Sequence, residues 1–268
     1  MSLPNPGPET RLIAIVNQKG GVGKTTTAIN LGAALCAAGS KVLVIDLDPQ
    51  GNASTGLGRE VAERVKTSYD LLLDDVPLSE VMQTTATPDL WIVPATADLS
   101  SADLQMMSDA RRTYRLRDAL KPAKQGPFLD YVLIDCPPSL SLLTINAMVA
   151  ATSVLVPLQS EFFALEGLSQ LMLTIREVRQ SANPDLGIEG VVLTMFDGRN
   201  RLAQQVLADA RETLGELVFQ TVIPRNVRVS EAPSFAQSVL DYDPLSKGSM
   251  AYRELAAELI RRNSLVEV

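Results

Sequence analysis

A glycine-rich stretch near the N-terminus, residues 17–27 with the sequence NQKGGVGKTTT, constrains the fold more than any other feature of the chain. The apolar run at residues 12–16 predicts a buried strand before it, and the apolar spacing of residues 28–35 predicts a helix packed on a sheet after it. A glycine-rich turn between a strand and a helix is the context of a phosphate-binding loop, because glycines let several N–H groups point inward and the helix N-terminus adds partial positive charge. The stretch therefore predicts a nucleotide-binding α/β domain.

The residue types in this loop indicate the contacts to expect. Lys24 would reach the β- and γ-phosphates of a nucleotide, and the hydroxyl of Thr25 would ligate Mg²⁺. The loop residues expected to bind the nucleotide are Lys19, Gly20, Gly21, Val22, Gly23, Lys24, Thr25 and Thr26. Gln18 stands where the usual pattern begins with glycine, and Lys19 adds a second lysine inside the loop. This deviant form resembles that of the ParA/MinD/nitrogenase iron protein superfamily, and a glycine-rich turn without a ligand is the alternative.

Strands that alternate with helical segments predict a doubly wound, mostly parallel sheet flanked by helices, the fold of an NTPase with the deviant phosphate loop. The predicted strands are residues 12–16, 41–46, 90–94, 131–135, 153–158, 188–195 and 218–223. The predicted helices are residues 28–35, 97–120, 165–181, 201–214 and 248–262, and another that ends at Ala150. We expect a disordered tail over residues 1–10, a single ATPase domain over residues 11–262 and a second tail over residues 263–268.

Aspartates close two of the predicted strands and supply the second component of a nucleotide hydrolase. Asp135 follows four apolar residues and fits the carboxylate that holds the Mg²⁺ shell from a neighbouring strand end, although it could instead cap the following helix. Asp46 and Asp48 leave the strand beside the loop, where a carboxylate could orient a water or contact the magnesium shell, and a simple turn at Asp48 and Pro49 is the alternative. Phosphoryl transfer passes through a loose transition state, so positioning and charge neutralisation carry most of the catalysis and no strong base is needed.

Composition excludes several kinds of chemistry. The chain has no histidine, which rules out imidazole bases and histidine-ligated metals, and its two cysteines, Cys36 and Cys136, form no metal or redox pattern. The sequence shows neither a signal peptide nor an apolar run as long as a membrane span, so we expect a reduced cytoplasmic setting. The formal charge of −7 argues against a globally cationic nucleic-acid binder. A local basic patch is still compatible with it, and residues 199–268 balance nine Lys/Arg against nine Asp/Glu.

Further stretches resemble the ParA/Soj family of chromosome-partitioning ATPases and extend the resemblance over nearly the whole chain. They are residues 46–52 (DLDPQGN), 161–167 (EFFALEG), 195–200 (MFDGRN) and 223–235 (IPRNVRVSEAPSF). The resemblance implies that Asp48 positions the attacking water and that Lys19 reaches across a dimer interface to the partner's nucleotide. It also implies that Pro224 and Asn226 contact the adenine. From the residues alone, Lys19 is equally well a lysine facing solvent, and residues 223–235 are a polar loop bounded by prolines.

The same resemblance implies a surface for DNA. Arg199 lies in a stretch where the family has a DNA-contacting arginine. The other candidates are Arg225, Arg228, Arg253, Arg261 and Arg262. Such a patch would grip phosphates rather than read bases, and two copies joined by dimerisation would bind DNA better than one. The alternative is that these arginines belong to an ordinary solvated surface with no binding role.

The function implied by the resemblance is ATP-dependent partitioning of a chromosome or plasmid. ATP and Mg²⁺ would close a sandwich homodimer that binds double-stranded DNA non-specifically. Hydrolysis, slow alone and stimulated by a ParB-like centromere-binding protein, would release the DNA, so the protein would be cytoplasmic and nucleoid-associated with no membrane partner. The alternative is a MinD-like ATPase acting at a membrane surface, but the end of the chain lacks the aromatic anchors of an amphipathic membrane helix. An electron-transfer subunit like nitrogenase iron protein would need cysteines at other positions.

Overall fold

A seven-stranded sheet forms the centre of the protein in the computed structural model, which describes residues 9–125, 128–161 and 164–266. The strand order is β3-β4-β2-β5-β1-β6-β7. The strands are Arg11–Ile15 (β1), Val42–Asp46 (β2), Gln83–Thr84 (β3), Leu90–Val93 (β4), Tyr131–Asp135 (β5), Ser153–Gln159 (β6) and Gly187–Thr194 (β7). Neighbouring strands run parallel except for the short edge strand β3, which is antiparallel to β4. The predicted doubly wound, mostly parallel sheet is confirmed.

Helices cover both faces of this sheet. They are Lys24–Ala37 (α1), Asn52–Gly56 (α2), Ser68–Leu73 (α3), Leu78–Val81 (α4), Ala102–Gln105 (α5), Arg115–Ala119 (α6), Lys121–Gln125 (α7), Leu142–Ala150 (α8), Ala164–Ser181 (α9), Arg201–Leu214 (α10), Val227–Glu231 (α11), Val239–Tyr242 (α12) and Lys247–Val266 (α13). Short 3-10 turns lie at Val61–Glu63, Ala97–Ser101, Met106–Ser108, Gly215–Leu217 and Ala232–Phe235. Within the described ranges, no helix is long and apolar enough to cross a lipid bilayer.

The central strand β1 shows why both faces need cover. Its side chains alternate, so Leu12 and Ala14 belong to one apolar cluster while Ile13 and Ile15 belong to the cluster on the opposite face. All four side chains are fully buried. A parallel strand buried on both sides reads as a continuous apolar run, which is the pattern that the sequence shows. The core therefore has two layers with the sheet between them, and α1 packs against α13 on the second face.

Near the sheet edges, one predicted element is wrong in detail and one short strand is missing from the prediction. Residues 97–120 were expected to form one helical region, but they are divided into short turns and α-helices, with α6 beginning only at Arg115. The chain then turns helical again at α7, where Pro122 lies in the first turn and needs no hydrogen-bond partner for its nitrogen. The edge strand β3, only two residues long, was not predicted.

The predicted strand at residues 218–223 is also wrong. Its two ends do follow β7, since Phe219 N donates to Val191 O at 2.9 Å and Ile223 N donates to Leu193 O at 2.8 Å. Between them, the N–H groups of two of the three intervening residues, Gln220 and Thr221, turn away and donate to the carboxylate of Glu258, each at 2.9 Å. A side chain from α13 thus replaces the neighbouring strand as acceptor, and no regular ladder forms.

Both ends of the domain extend beyond their predicted limits. Thr10 is buried, and its hydroxyl donates to the carbonyls of Ala123 at 2.8 Å and Leu129 at 2.6 Å. At the other end, α13 continues to Val266, past its predicted end at Arg262. Residues 1–8 of the predicted N-terminal tail and residues 267–268 of the C-terminal tail lie outside the described residues.

Replacing Glu258 tests this anchoring of the segment beside β7. Glu258→Ala should lower the free energy of unfolding by about 3 kcal/mol, because two backbone N–H groups and the guanidinium of Arg262, 2.7 Å from the carboxylate, lose their acceptor. Burial opposes ionisation of Glu258, but the hydrogen bonds from the backbone, Thr221 and Arg262 outweigh it and lower its pKa from 4.5. The wild-type contribution is therefore present above about pH 4.5 and lost as the pH falls through the lowered pKa.

Urea unfolding of wild type and variant at pH 7 and pH 3 measures this difference. The gap between the two proteins should shrink at pH 3. Glu254→Ala, an exposed change on the same helix, should stay within about 0.5 kcal/mol of wild type at both pH values. Equal stabilities of the two variants at pH 7 would contradict the anchoring.

Candidate nucleotide-binding site

The glycine-rich loop runs from β1 to the N-terminus of α1. Gly23 precedes the helix in the left-handed conformation, with φ at 89°, and it has no side chain that could cap the first helical N–H groups. Lys24, the first residue of α1, is buried and donates from Nζ to the carbonyl of Lys19 at 2.9 Å. Burial lowers the pKa of Lys24, while the charges of Asp135 and, more weakly, Asp48 oppose the decrease. The uncapped helix end and the cation folded back over the loop together form a site suited to an anion.

Side chains from the far strands hold the loop in this shape. Thr194 at the end of β7 donates from Oγ1 to the carbonyl of Val22 at 2.7 Å. Asn17 donates from Nδ2 to the carbonyl of Pro157 in β6 at 2.7 Å, and its Oδ1 accepts from the N–H of Lys19 at 3.0 Å. The loop is therefore fixed from β6 and β7 as well as by its own glycines.

The strand register places two of the predicted carboxylates side by side. Asp135 of β5 lies opposite Asp46 of β2 and opposite Ile15 of β1. Asp135 is fully buried, and among the described residues neither of its carboxylate oxygens completes a hydrogen bond. Burial raises the pKa of Asp135 well above its usual range, and the charge of Asp46 adds to the rise, which the nearby Thr25 hydroxyl only partly opposes. A buried carboxylate without a partner is costly, so this position is suited to a cation.

The two aspartates after β2 have separate surroundings. Asp46 is fully buried; its Oδ1 accepts from the N–H of Asp48 at 3.1 Å, and its Oδ2 accepts from the N–H and hydroxyl of Ser54 at 2.9 and 2.7 Å. Burial raises the pKa of Asp46 to about 6, although the hydrogen bonds from Ser54 oppose that rise. Asp48 lines the cavity in front of the loop, and its Oδ1 accepts from the N–H of Gln50 at 2.9 Å. Asp46 therefore shapes the turn, and Asp48 is the one presented to the cavity.

A cavity of about 410 Å³ collects most of the predicted nucleotide contacts. Its lining includes Gly20, Gly21, Gly23, Lys24, Thr25, Thr26, Asp48, Pro224, Arg225 and Asn226. Val22 lies buried behind this surface, and Asp135 lies beneath it. A larger cavity of about 870 Å³ opens beside Trp91 and Arg115, but none of the residues predicted for the site lines it. The chemistry of the lining, not the volume, identifies the smaller cavity as the candidate site.

The predicted adenine-binding segment lies beside the predicted DNA-binding stretch. Phe196 and Pro224 form a parallel bridge, and the N–H of Arg225 donates to the carbonyl of Phe196 at 3.1 Å. Asn226 begins α11, where its side-chain oxygen accepts from the N–H of Arg228 at 2.8 Å. Two stretches that are about 30 residues apart in the sequence thus form one corner of the cavity.

The candidate DNA-binding arginines differ in their surroundings. The Arg199 side chain is 92% exposed and pairs with Asp197 at 3.0 Å, which holds the pKa of that carboxyl at about 2. Arg228 is exposed and pairs with Glu231 at 2.9 Å and with Asp243 at 3.3 Å. A phosphate that binds either arginine would therefore have to displace the acidic neighbour of that arginine. A DNA phosphate can do so because the pairs are open to solvent and weak.

Arg262 is placed differently from the other candidates. Its guanidinium lies 4.1 Å from the ring centroid of Phe219 and donates to the carbonyl of Val218 at 3.0 Å. Together with its pairing to Glu258, these contacts make it a structural residue rather than part of an open patch. Arg253 and Arg261 are exposed.

Lys19, the second lysine of the loop, is half-exposed and forms an ion pair with Glu161 of the same chain. Glu161 begins the stretch of residues 161–167, of which residues 162–163 lie outside the described part of the chain. An exposed pair of this kind contributes little to stability and can be exchanged at small cost.

Sequence reasoning missed several residues that shape the cavity. Asn17 and Thr194 each follow or end a strand, and the rule that sites gather at the carboxyl ends of parallel strands could have identified them. Tyr252 of α13 is buried and lines the cavity, with its hydroxyl 3.4 Å from that of Thr27. No local sequence signal marks Tyr252, because its contact depends on how α13 packs on α1.

Comparisons with known proteins agree with this geometry. The family model described as an AAA domain matches residues 10–188. The chain is 59% identical over 253 residues to the chromosome partitioning protein ParA of Caulobacter vibrioides, covering 94% of each protein. It is 49% identical to the sporulation initiation inhibitor protein Soj of Bacillus subtilis, over 93% of this chain and 98% of that protein.

One similar solved structure is described as a biosynthetic enzyme and not as a partitioning protein. It is described as cobyrinic acid a,c-diamide synthase from Mycobacterium smegmatis with bound ADP and magnesium. It matches with a TM-score of 0.82 and 39% identity, over 95% of this chain and 96% of that one. The likeness in fold therefore extends to a protein that holds a nucleotide and Mg²⁺.

The support of the loop by Thr194 can be tested by one nearly isosteric change. Thr194→Val removes the hydrogen bond to the Val22 carbonyl, and the loosened loop should bind ADP about fivefold to tenfold more weakly, as expected for one lost hydrogen bond. Thr174→Val is the matched control, since among the described residues the hydroxyl of that buried threonine bonds the Gln170 carbonyl of its own helix, at 3.4 Å. Calorimetric titration with ADP would contradict the assignment if Thr194→Val kept wild-type affinity.

Proposed function

This chain belongs to the ParA/Soj family of chromosome-partitioning proteins, and we propose that it is the ATPase of a DNA-partitioning system. The observation that carries the proposal is the convergence of the phosphate loop, Asp48 and Asp135 at the carboxyl ends of β1, β2 and β5. That arrangement supplies a phosphate cradle, a carboxylate beside the cavity and a buried carboxylate that needs a cation. The higher identity to partitioning proteins, 59% against 39%, favours this function over the diamide synthase activity in the name of the M. smegmatis protein.

The loop would bind the phosphates of ATP through its backbone N–H groups, from Lys19 to Thr26, and through the amine of Lys24. To do so, the amine would leave the Lys19 carbonyl, to which it donates at 2.9 Å. Pro224 and Asn226, at the other end of the cavity, would contact the adenine. The cavity volume of about 410 Å³ is within the range of small-molecule sites.

Thr25 and Asp135 would hold Mg²⁺, directly or through its water shell. The carboxylate oxygens of Asp135, which complete no hydrogen bond within the described part of the chain, and the adjacent Thr25 hydroxyl are hard oxygen donors of the kind that this ion prefers. Within the described ranges, no group of three or more acidic, cysteine or histidine side chains could hold a metal by itself. This fits an ion that takes most of its ligands from phosphates and water. When bound, Mg²⁺ neutralises charge on the β- and γ-phosphates.

Asp48 would orient the attacking water, since it is the aspartate presented to the cavity beside Lys24. Lys19 would exchange Glu161 for the nucleotide of a second subunit and so supply a cation in trans, which links hydrolysis to formation of a sandwich dimer. This exchange is feasible because the pair is half-exposed. Hydrolysis would be slow in the protein alone and would be stimulated by a ParB-like centromere-binding partner, as the family resemblance implies.

The ATP-bound dimer would bind double-stranded DNA without sequence preference through Arg199, Arg225 and Arg228. Each subunit has few such arginines, so one copy binds weakly and the joined pair binds well. The protein would then act on the nucleoid. A MinD-like role at a membrane is disfavoured because Tyr252, Leu255 and Leu259 of α13 are buried in the core and cannot serve as membrane anchors.

Retention on non-specific double-stranded DNA tests the proposal. Wild type should be retained with ATP and Mg²⁺ but not with ADP or without nucleotide, and retention should fall steeply as salt rises. Arg199→Glu should lose retention while still binding ATP. Arg176→Glu, the same charge change at an exposed position on α9, should keep at least most of it.

Three outcomes of this assay would contradict the proposal or one of its parts. Retention that is the same in all nucleotide states would show that ATP does not control DNA binding. No retention in any state would remove DNA as the partner. Equal loss in Arg199→Glu and Arg176→Glu would remove Arg199 as a contact and leave only a general charge effect.

A further inference from the structure

We propose that Arg64 is a positioning residue for ATP hydrolysis: it holds the loop that carries Asp48 without itself touching the nucleotide. The inference rests on the proposed ATPase function and extends it to a residue outside the short motifs that carry the family resemblance. Arg64 follows a short 3-10 turn, between Val61 and Val65, which are 72% and 82% exposed. The Arg64 residue itself is only 7% exposed, so its side chain turns inward from a surface segment.

Each of the three nitrogens of the Arg64 guanidinium donates to a neutral oxygen. Its Nη1 donates to the carbonyl of Ala95 at 2.9 Å, and its Nη2 donates to the hydroxyl of Thr55 at 2.7 Å. Its Nε and Nη2 donate to the carbonyl of Arg59 at 3.0 and 2.7 Å. These contacts join the end of β4, helix α2 and the turn after it. Burying a cation among neutral acceptors is costly, and burial accordingly lowers the pKa of Arg64.

The same guanidinium lies directly against the turn that contains Asp48. Gly51 has a φ of 63°, and a Cβ placed there would lie 2.2 Å from Arg64 Nη1. The N–H of Gly51 donates to the carbonyl of Asp48 at 2.8 Å, closing the turn. Thr55, which accepts from Arg64, donates through its N–H and hydroxyl to the carbonyl of Gly51 at 3.0 and 3.1 Å. Arg64 is thus joined to the Asp48 turn by packing on Gly51 and by hydrogen bonds through Thr55.

A second set of contacts fixes the turn from its other side. Asp46 binds the N–H of Asp48 and both donor groups of Ser54, and the Ser54 hydroxyl accepts from the N–H of Ala95 at 2.9 Å. Ala95 therefore belongs to both sets of contacts. Its N–H donates to Ser54, which is bound to Asp46, and its carbonyl accepts from Arg64. The turn at Asp48 is held between these two sets of contacts. The sequence predicts a role for the aspartates after β2, but it predicts none for Arg64.

Removal of the Arg64 side chain should leave the phosphate loop intact and loosen Asp48. A displacement of about 1 Å at a positioning group can cost about 100-fold in rate. For Arg64→Gln we expect a decrease of about 30-fold in single-turnover ATP hydrolysis, with the dissociation constant for ATP within about threefold of wild type. The same variant should stay on DNA longer than wild type in the presence of ATP, because hydrolysis ends the bound state.

The experiment measures hydrolysis, ATP affinity and thermal unfolding for wild type, Arg64→Gln, Arg115→Gln and Asp48→Ala. Arg115→Gln is the matched control, since Arg115 also holds two partners, Asp109 at 2.6 Å and Asp75 at 3.0 Å, and none of them lines the candidate site. Arg115→Gln should hydrolyse ATP as wild type does. Arg64→Gln in the Asp48→Ala background should lower the residual rate no further, because both changes remove the same positioning.

Thr55→Val provides a second variant if Arg64→Gln fails to fold. It removes only the link between Arg64 and Gly51, and we expect a decrease of about fivefold in hydrolysis with unchanged ATP affinity.

The possible results distinguish a failure of the role inferred for Arg64 from a failure of the proposed ATPase function. Wild-type rates in Arg64→Gln, or in a folded Thr55→Val when the first variant does not fold, would overturn the inference. A loss of affinity as large as the loss of rate, or a further decrease in the Asp48→Ala background, would show a merely structural role and overturn it as well. Absence of ATP hydrolysis in the wild type itself would instead contradict the proposed function.

Discussion

The buried carboxylate of Asp135 is the constraint around which the site is arranged. It ends the central strand β5, is fully removed from solvent and has no hydrogen-bond partner among the described residues. Asp46 lies opposite it on the next strand and raises its pKa further. Two carboxylates so placed are unfavourable unless positive charge comes close, and Lys24 supplies only part of it. The site therefore favours a bound cation, which accounts for a nucleotide that arrives with Mg²⁺.

The parallel sheet is what brings these groups together. Strands in parallel register end at the same edge, so the loop after β1, the turn after β2 and the carboxylate of β5 meet although they are distant in sequence. The two faces of the sheet are filled by separate apolar layers, and the edge is left for polar groups. Within the turn after β2, both carboxylate oxygens of Asp46 accept hydrogen bonds from the chain, whereas Asp48 faces the cavity.

The sequence was sufficient where a feature depends on neighbouring residues and insufficient where it depends on distant ones. The phosphate loop and six of the seven predicted strands follow from local patterns, and the family resemblance singled out Asp48, which the structure places at the cavity. The segment at residues 218–223 looked like a strand, but Glu258 from α13 takes its N–H groups. Arg262 looked like a surface cation and instead packs on Phe219. The role proposed for Arg64 depends on contacts with Thr55 and Ala95, which no spacing in the sequence reveals.

The central claim is that Asp135 and the phosphate loop form one site for a nucleotide with Mg²⁺, and the most direct measurement is the affinity for ATP with Mg²⁺ and with EDTA. The account predicts that wild type binds ATP at least about tenfold more tightly with Mg²⁺, since a charged contact of about 1.4 kcal/mol or more is gained. Asp135→Asn should lose most of this difference while retaining binding in EDTA. Equal affinities of wild type in the two conditions, or an undiminished difference in Asp135→Asn, would contradict the account.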